Sequence, residues 1–229
     1  MTNAGPGRPR LSKQRRPGPT AAAEILDAAA ELFTTKGFAS TSTRQIADAV
    51  GMRQASLYHH FATKDDILAA LLERTVSEAL ALADTLADGT EPSAVRLYAL
   101  LRFDADQLLS SRWNLGALYL LPELRTDRFA PFREERQKLR SRYRQMAELV
   151  LDELGADEDI RAGLPFRIVE TVINERSDTE SGDGPGSALA STAIADAGLR
   201  VLGWTTVAEL AAPAEVLLAA YRRSVDDAR

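Results

Sequence analysis

The sequence has no cysteine and only two histidines among its 229 residues, and these absences exclude several kinds of site. Without cysteine there are no disulfides, no thiolate metal sites and no thiol-based redox sensor. The histidines, His59 and His60, are adjacent, and neighbouring side chains on a helix point about 100° apart, which does not suit one metal ion. We therefore expect neither a metal ion nor a cofactor.

Long apolar runs are also absent. No segment approaches the roughly 20 apolar residues of a membrane span, and the polar, basic start does not resemble a signal peptide. The apolar content of 45% is ordinary for a chain with a sizeable core. We expect a soluble, unexported protein that works in the cytoplasm.

Catalytic patterns are missing as well. The sequence shows no nucleophile and base arrangement, no phosphate-binding glycine loop and no set of metal ligands. Activity would have to depend on carboxylates alone. We predict that the chain is not an enzyme.

Helical spacing of apolar residues recurs along the chain, whereas no stretch alternates long enough to predict a strand. The fold class is therefore predicted to be all-α. Residues 1–19, rich in glycine, proline and basic residues, predict a flexible arm, and residues 177–187 predict an exposed loop. The helices are predicted at about 21–36, 43–50, 54–60, 64–86, 92–113, 127–154, 159–176, 188–204 and 213–227.

Residues 43–64, TRQIADAVGMRQASLYHHFATK, predict two short helices joined by a tight turn. Ser42 and Gln45 form the S-x-x-Q pattern of a capping box at the start of the first of these helices. Gly51 stands where the turn favours a positive φ. This layout is that of a helix-turn-helix DNA-binding motif.

The charge distribution agrees with this interpretation, although the net charge of the chain is −5. Residues 1–64 hold nine basic and four acidic side chains, and the remaining 165 residues hold 19 basic and 29 acidic ones. A basic first quarter on an acidic body favours a polyanion at one end only. The basic arm is either a solubilising tail or a segment that reaches DNA phosphates or a minor groove.

Residues 40–68 closely resemble the DNA-binding motif of the TetR family of bacterial transcriptional regulators. The residues that carry the resemblance are Thr41, Ser42, Ile46, Ala47, Val50, Gly51, Leu57, Tyr58, His60, Phe61, Lys64 and Leu68. The resemblance implies a three-helix DNA-binding domain at 20–64, followed by a helical effector-binding and dimerisation domain at 65–229.

The short third helix offers side chains that hydrogen-bond base edges and phosphates. Gln54 suits adenine, Arg53 suits guanine or a phosphate, and Ala55 suits a thymine methyl group. By resemblance, Thr41, Tyr58, His60 and Lys64 contact phosphates. The complete predicted DNA-binding set is Thr41, Ser42, Thr43, Arg44, Arg53, Gln54, Ala55, Ser56, Tyr58, His59, His60 and Lys64. Outside such a motif, Arg53 and Gln54 would be ordinary solvated residues.

The resemblance further implies a homodimer on a palindromic double-stranded DNA operator and a small-molecule effector, which we expect to be mainly apolar. A helix at 188–204 carries a stripe of Leu189, Ala193, Ala197, Val201 and Trp204 that suits either a dimer interface or packing within one subunit. Candidate residues for the effector pocket, each also suited to the core, are Phe103, Trp113, Asn114, Tyr119, Phe166, Glu170 and Asn174. A DNA-binding or architectural protein with no effector is the alternative.

Overall fold

The computed structural model describes residues 16–156, 160–180 and 190–227, and every regular element in those ranges is helical. The all-α prediction is therefore confirmed. The chain divides into two compact units, Met1–Ala70 and Leu71–Arg229, and the division falls within helix α4. No described helix combines the length and the apolar character needed to cross a bilayer.

The first unit contains helices α1 (Ala21–Lys36), α2 (Thr43–Val50) and α3 (Gln54–Tyr58) and the first residues of α4 (Lys64–Ala87). Thr20 caps α1 by accepting a hydrogen bond from the backbone N–H of Ala23, as its position before the apolar pattern predicts. Its core consists mainly of aliphatic side chains from all four helices: Ile25, Ala29, Leu32, Phe33, Ile46, Ala47, Val50, Leu57, Ile67 and Leu68.

The second unit is organised around α5 (Ser93–Ser110). Residues 93–101 of this helix are all buried, because α5 packs against four other helices. Those four helices are α6 (Ala130–Glu153), α7 (Leu164–Glu180), α8 (Ser191–Arg200) and α9 (Ala211–Asp227). The connections contain short 3-10 helices at Leu115–Leu120, Pro122–Arg125, Asp127–Phe129, Ile160–Gly163 and Val207–Leu210.

A buried arginine stabilises the end of α4. The guanidinium of Arg96 donates hydrogen bonds to the carbonyl oxygens of Leu86 and Ala87, at 2.9 and 3.2 Å, and to the hydroxyl of Ser93. These carbonyls belong to the last turn of α4, where backbone acceptors lack helical partners. Arg96 therefore caps one helix from the first turn of the next.

Several predicted boundaries differ from the structure. Helix α3 ends at Tyr58 rather than His60, α5 ends at Ser110 because Ser111 adopts an extended backbone, and α8 is shorter at both ends than 188–204. Helix α7 continues through Glu180 into the predicted 177–187 loop. The hydroxyl of Ser177 accepts a hydrogen bond from Asn114 and donates one to the Ile173 carbonyl, which fixes that turn. The rest of the predicted loop, 181–187, lies outside the described residues.

Candidate nucleic-acid interface

Helix α2 begins with the capping box that the sequence predicts. The Ser42 hydroxyl accepts a hydrogen bond from the Gln45 N–H at 3.2 Å, and the Gln45 side-chain oxygen accepts one from the Ser42 N–H at 2.7 Å. Two otherwise unpaired donors are thereby satisfied. The remaining backbone N–H groups of the first turn stay available to an anion such as a DNA phosphate.

The turn between α2 and α3 depends on Gly51. Its φ of 79° and ψ of 34° lie in the left-handed region, and its N–H donates to the carbonyls of Ala47 and Asp48. Met52 donates to the same Ala47 carbonyl at 3.0 Å. A glycine adopts this conformation without steric cost, so α2 ends at a tight turn and α3 starts three residues later, at Gln54.

Helix α3 is held by one fully buried side chain, Leu57, while most of its other side chains face solvent. The exposed members of the predicted DNA-binding set on and beside this helix are Arg53, Ala55, Ser56, Tyr58, His59 and His60. Ser42, directly before α2, and Arg44, on α2, are also exposed. The structure therefore brings eight of the twelve predicted residues to the surface of the first unit.

Three of the predicted residues form a hydrogen-bonded cluster that joins α2 to α3. The side-chain nitrogen of Gln54 donates to the Thr43 hydroxyl at 2.9 Å and to the Tyr58 hydroxyl at 3.3 Å. The two hydroxyls are 3.1 Å apart. The side-chain N–H groups of Gln54 are thus hydrogen-bonded within the protein. Its side-chain oxygen is the atom that can accept a hydrogen bond from a base.

The structure contradicts a direct DNA contact by the Thr41 side chain. Thr41 is 2% exposed, and its hydroxyl lies 2.9 Å from the Gly37 carbonyl and 3.2 Å from the Leu32 carbonyl. A buried hydroxyl that donates to the backbone is not available to a phosphate. Thr41 instead fixes the loop that leads from α1 to the capping residue of α2.

Lys64 has a similar internal role. Its ammonium donates to the carbonyls of Phe38 and Thr41 at 2.8 and 2.9 Å and lies 4.1 Å from the centre of the Phe38 ring. Because an ammonium has three N–H donors, one remains for a phosphate. The sequence pattern identified Lys64 but not these contacts.

The basic arm is only partly described, because residues 1–15 lie outside the described ranges. Arg16 forms ion pairs with Asp27, at 3.2 Å, and with Glu31 on α1. This end of the predicted arm is therefore attached to α1 through a cation that faces acidic side chains of its own unit.

A cavity in the second unit brings together three of the predicted effector residues, Tyr119, Phe166 and Glu170. Its volume is about 20 Å³, room for roughly one water molecule. The other residues that line it are Thr75, Val76, Asp104, Leu108, Arg136, Leu139, Val169 and Ile173. Sequence reasoning missed Asp104 and Arg136, although each occupies a helical position four residues after a buried one, Leu100 and Phe132.

The remaining effector candidates are placed elsewhere. Phe103 packs edge-on against Tyr221 and lines a different cavity, of about 350 Å³, beside Arg222 and Asp226. Asn114 is buried but is occupied by hydrogen bonds to the Ile173 carbonyl and Ser177.

Trp113 and Asn174 also fall outside the lining of the Tyr119 cavity. Trp113 stacks with the guanidinium of Arg112, and Asn174 is exposed.

Burial controls the ionisation of the side chains in and beside the cavity. It raises the pKa of Asp104 from 3.8 to about 7, an effect that a hydrogen bond with Tyr143 opposes and the charge of Glu170 reinforces. The Tyr143 hydroxyl lies 2.9 Å from Asp104 and 3.3 Å from the Leu100 carbonyl. A protonated Asp104 can donate to Tyr143, which then donates to Leu100. Burial also raises the pKa of Tyr119 and of Tyr143.

Comparisons with known proteins agree with this geometry. A family model described as bacterial regulatory proteins, tetR family, matches residues 25–71, which include the helix-turn-helix. The crystal structure of AmtR from Mycobacterium smegmatis is 58% identical, covers 90% of this chain and 98% of that chain, and has a TM-score of 0.84.

Two further relatives are more distant. The transcriptional repressor KstR2 of Mycobacterium tuberculosis is 36% identical over 77 residues, which are 34% of this chain and 38% of that protein. The chain thus matches about two fifths of the length of this curated relative. AibR, crystallised with isovaleryl coenzyme A and operator DNA, is 20% identical over 78% of this chain and 95% of that chain, with a TM-score of 0.56, which shows a common fold alone.

The identity with AmtR extends over nearly all of both chains, and the family model covers the capped α2, the Gly51 turn and the exposed α3. The chain therefore belongs to the tetR family of bacterial regulatory proteins, and it is a DNA-binding transcriptional regulator rather than an enzyme.

Proposed function

We propose that this regulator is a cytoplasmic repressor that binds a palindromic operator as a homodimer and releases it when a small organic effector binds. Residues 20–64 form the DNA-binding domain of this proposal, and residues 65–229 form the effector-binding and dimerisation domain. The observation that carries it is the exposed surface of α3, held in place by the single buried anchor Leu57.

This surface has the chemistry that DNA recognition requires. Arg53 and the side-chain oxygen of Gln54 face base edges, while Tyr58, His60 and the third N–H of Lys64 face phosphates. The amide end of α2, prepared by Ser42, adds a further phosphate site. Base contacts confer sequence preference, and phosphate contacts confer register and affinity.

Dimerisation follows from the small size of the recognition helix, since α3 has five residues and contacts few base pairs. On α8, Ala193 and Ala197 are exposed one turn apart, while Ala195 and Leu199 are buried on the opposite side. Val216 on α9 is 68% exposed. Small exposed apolar side chains allow two helices to approach closely, so we assign the homodimer contact to this face of α8. Leu189, predicted to belong to the same stripe, lies outside the described residues.

An effector role is supported by the cavity around Tyr119. It contains an ionisable group, Asp104, that contributes nothing to the DNA-binding surface and whose burial is costly. Buried polar groups that converge on one cavity are typical of ligand sites. AibR, which has the same fold, binds both an acyl coenzyme A and operator DNA. The alternative is a regulator that binds DNA without any effector.

The proposal is tested by selecting bound duplexes from a random-sequence pool with the full-length protein, followed by a screen for small molecules that release the selected operator. We expect an inverted repeat whose half-sites are separated by about one helical turn or a multiple of it. Selection of no repeat would overturn the dimeric operator. A selected operator that no compound releases would favour the regulator without effector.

A further inference from the structure

The cavity around Tyr119 is lined by a cation from the protein itself. The guanidinium of Arg136 lies 5.1 Å from the Tyr119 ring centre and 5.5 Å from the Phe166 ring centre, and it is ion-paired with Glu170. Two aromatic faces and a carboxylate form the surroundings in which proteins bind organic cations. Arg136 therefore occupies a cation site.

Arg136 is only partly buried. Its side chain is 31% exposed, so it reaches the cavity from the protein surface, and its Nε is buried without a hydrogen-bond partner among the described residues. A buried donor that lacks a partner reduces the stability of that conformation. Moving the guanidinium outward would hydrate Nε and vacate the space between the two rings.

The groups that would remain in the cavity are acidic or neutral. Asp104 is 4% exposed, and Tyr143 is the one side chain in the described ranges that hydrogen-bonds to it. Glu170 stays in place because Arg167 donates to it at 2.8 Å from the exposed side. An anion would meet both carboxylates and the electron-rich ring faces, whereas a cation would be attracted by all of them.

We propose that this cavity is the binding site for a small organic cation, an ammonium, amidinium or guanidinium on a short apolar stem, which displaces Arg136 from between Tyr119 and Phe166. The cation pairs with Glu170 and donates to Asp104, while its stem contacts Leu108 and Val169. This inference rests on the proposed effector function and replaces the mainly apolar effector with a charged one.

Cation binding is coupled to a proton. The titratable and charged groups that face Asp104 are Tyr143 and Arg136 on α6, Glu170 on α7 and Tyr119 on the 3-10 helix Leu115–Leu120, while α4 contributes the uncharged Thr75 and Val76. A bound cation favours the ionised carboxylate, so the proton leaves on binding. Affinity therefore rises with pH, by up to about tenfold per pH unit below pH 7, and levels off above it.

The test uses calorimetric titration of the full-length protein at constant ionic strength. The probes are n-butylguanidinium and n-butylammonium, with neutral n-butylurea and anionic butyrate as controls of similar size. We expect both cations to bind at least about tenfold more tightly than the urea or butyrate, because ion pairing and cation–π attraction act on them alone. Tighter binding of butyrate, or no binding of either cation, would overturn the inference.

Variants at the cavity separate a displaced cation from a merely structural arginine. Arg136→Gln removes the competing cation and is expected to tighten n-butylguanidinium binding by about tenfold, because the open state becomes more populated. Glu170→Gln is expected to weaken it by a similar factor. Weaker cation binding by Arg136→Gln would contradict displacement.

Matched controls are available on α6, and a second test variant is available at Asp104. Arg144 and Glu148 form an exposed ion pair on α6, so Arg144→Gln and Glu148→Gln should leave cation binding unchanged. Should Glu170→Gln fail to fold, Asp104→Asn serves instead and is expected to abolish the pH dependence of binding. An unchanged pH dependence in this variant would overturn the role of Asp104.

Failure of the cation site can be distinguished from failure of the proposed effector-controlled repressor. Release of the selected operator by a neutral or anionic compound, together with no cation binding, would overturn this inference and leave the effector-controlled repressor in place. Cation binding that leaves operator affinity unchanged would overturn the effector role of the cavity while the site itself stands.

Discussion

Lys64 and Phe38 are in contact twice: the Lys64 ammonium donates to the Phe38 carbonyl at 2.8 Å and lies 4.1 Å from the centre of the Phe38 ring. A second hydrogen bond to the Thr41 carbonyl attaches the same ammonium to the loop before α2. The first residue of α4 thus holds the segment that carries the α2 cap. A lysine that the family pattern assigns to DNA also fixes the DNA-binding motif internally.

Replacement of Lys64 by Ala is expected to reduce stability and DNA affinity together. Loss of the charged donor removes one hydrogen bond from the Thr41 carbonyl and one from the Phe38 carbonyl, which keeps only the Thr41 N–H, and should cost about 1–2 kcal/mol of unfolding free energy, measured by chemical denaturation. Loss of the phosphate contact should weaken binding to all sequences and reduce the salt slope, d log K/d log[salt], by about one. A weaker complex with an unchanged slope would show that Lys64 acts through the loop alone.

Replacement of Gln54 by Ala is expected to change sequence preference. The Gln54 side-chain oxygen is the acceptor available to a base, so its loss should relax discrimination at one position of each half-site by about 1–3 kcal/mol. Repeating the selection with the variant measures this change. Gln145→Ala, at an exposed glutamine on α6, is the control and should select the parent sequence. An unchanged preference in Gln54→Ala would remove Gln54 from base recognition.

Replacement of Ser42 by Ala is expected to destabilise the first unit by about 1 kcal/mol, since an N-cap hydroxyl satisfies a backbone donor of α2. Chemical denaturation provides the measurement. Ser40→Ala, two residues earlier at an exposed position, should have no measurable effect. Equal stability of the two variants would show that the capping box contributes nothing beyond solvent hydrogen bonds.

Replacement of Asp104 by Asn is expected to stabilise the protein above neutral pH. The pKa of Asp104 is about 7 in the folded chain against an ordinary 3.8, so its contribution to stability is fully present below about pH 4 and is lost as pH rises through about 7. The variant should exceed the parent by at most about 4 kcal/mol at pH 8, and the difference should shrink towards pH 4. Denaturation curves across this range measure it.

The exposed Asp88 supplies the control for that comparison. Asp88→Asn removes a carboxylate without altering a buried site, so its stability should follow the parent at every pH. A pH-independent gain in Asp104→Asn would show that packing, rather than ionisation, causes the effect.

Replacement of Ala197 by Glu is expected to disrupt the proposed homodimer. Two-fold symmetry would place the new carboxylates of both subunits in one apolar contact, which should weaken association at least about tenfold. Sedimentation velocity over a concentration series measures it. Ala208→Glu, at another exposed alanine, should leave association unchanged. A dimer unaffected by Ala197→Glu would place the interface elsewhere.

The sequence predicted those features that depend on neighbouring residues. The Thr20 cap, the Ser42 and Gln45 capping box and the left-handed Gly51 turn all follow from hydrogen bonds and steric preferences within a few positions. The structure confirms the helix-turn-helix and the all-α class, and the comparisons with known proteins confirm the family. The predicted ends of α3, α5 and α8 were less accurate, because the terminal turns of a helix depend on packing.

The hydrogen-bond and ion-pair partners of individual polar side chains could be identified only from the tertiary structure. Thr41 and Lys64 resemble surface residues in the sequence, yet one is buried and the other is bonded to carbonyls more than 20 positions away. Arg136 and Glu170 are separated by 34 positions, and only the packing of α6 against α7 brings them together. Spacing predicts which face of a helix is buried, but it does not identify the partner of a buried charge.

The sequence alone therefore determined the all-helical class and the capped, glycine-turned helix-turn-helix, because those features arise from local backbone chemistry. The tertiary structure decided which polar groups of this motif are exposed and that Arg136 lines the candidate effector cavity. Desolvation and charge pairing between distant segments control both, and these energies exist only once the helices have packed.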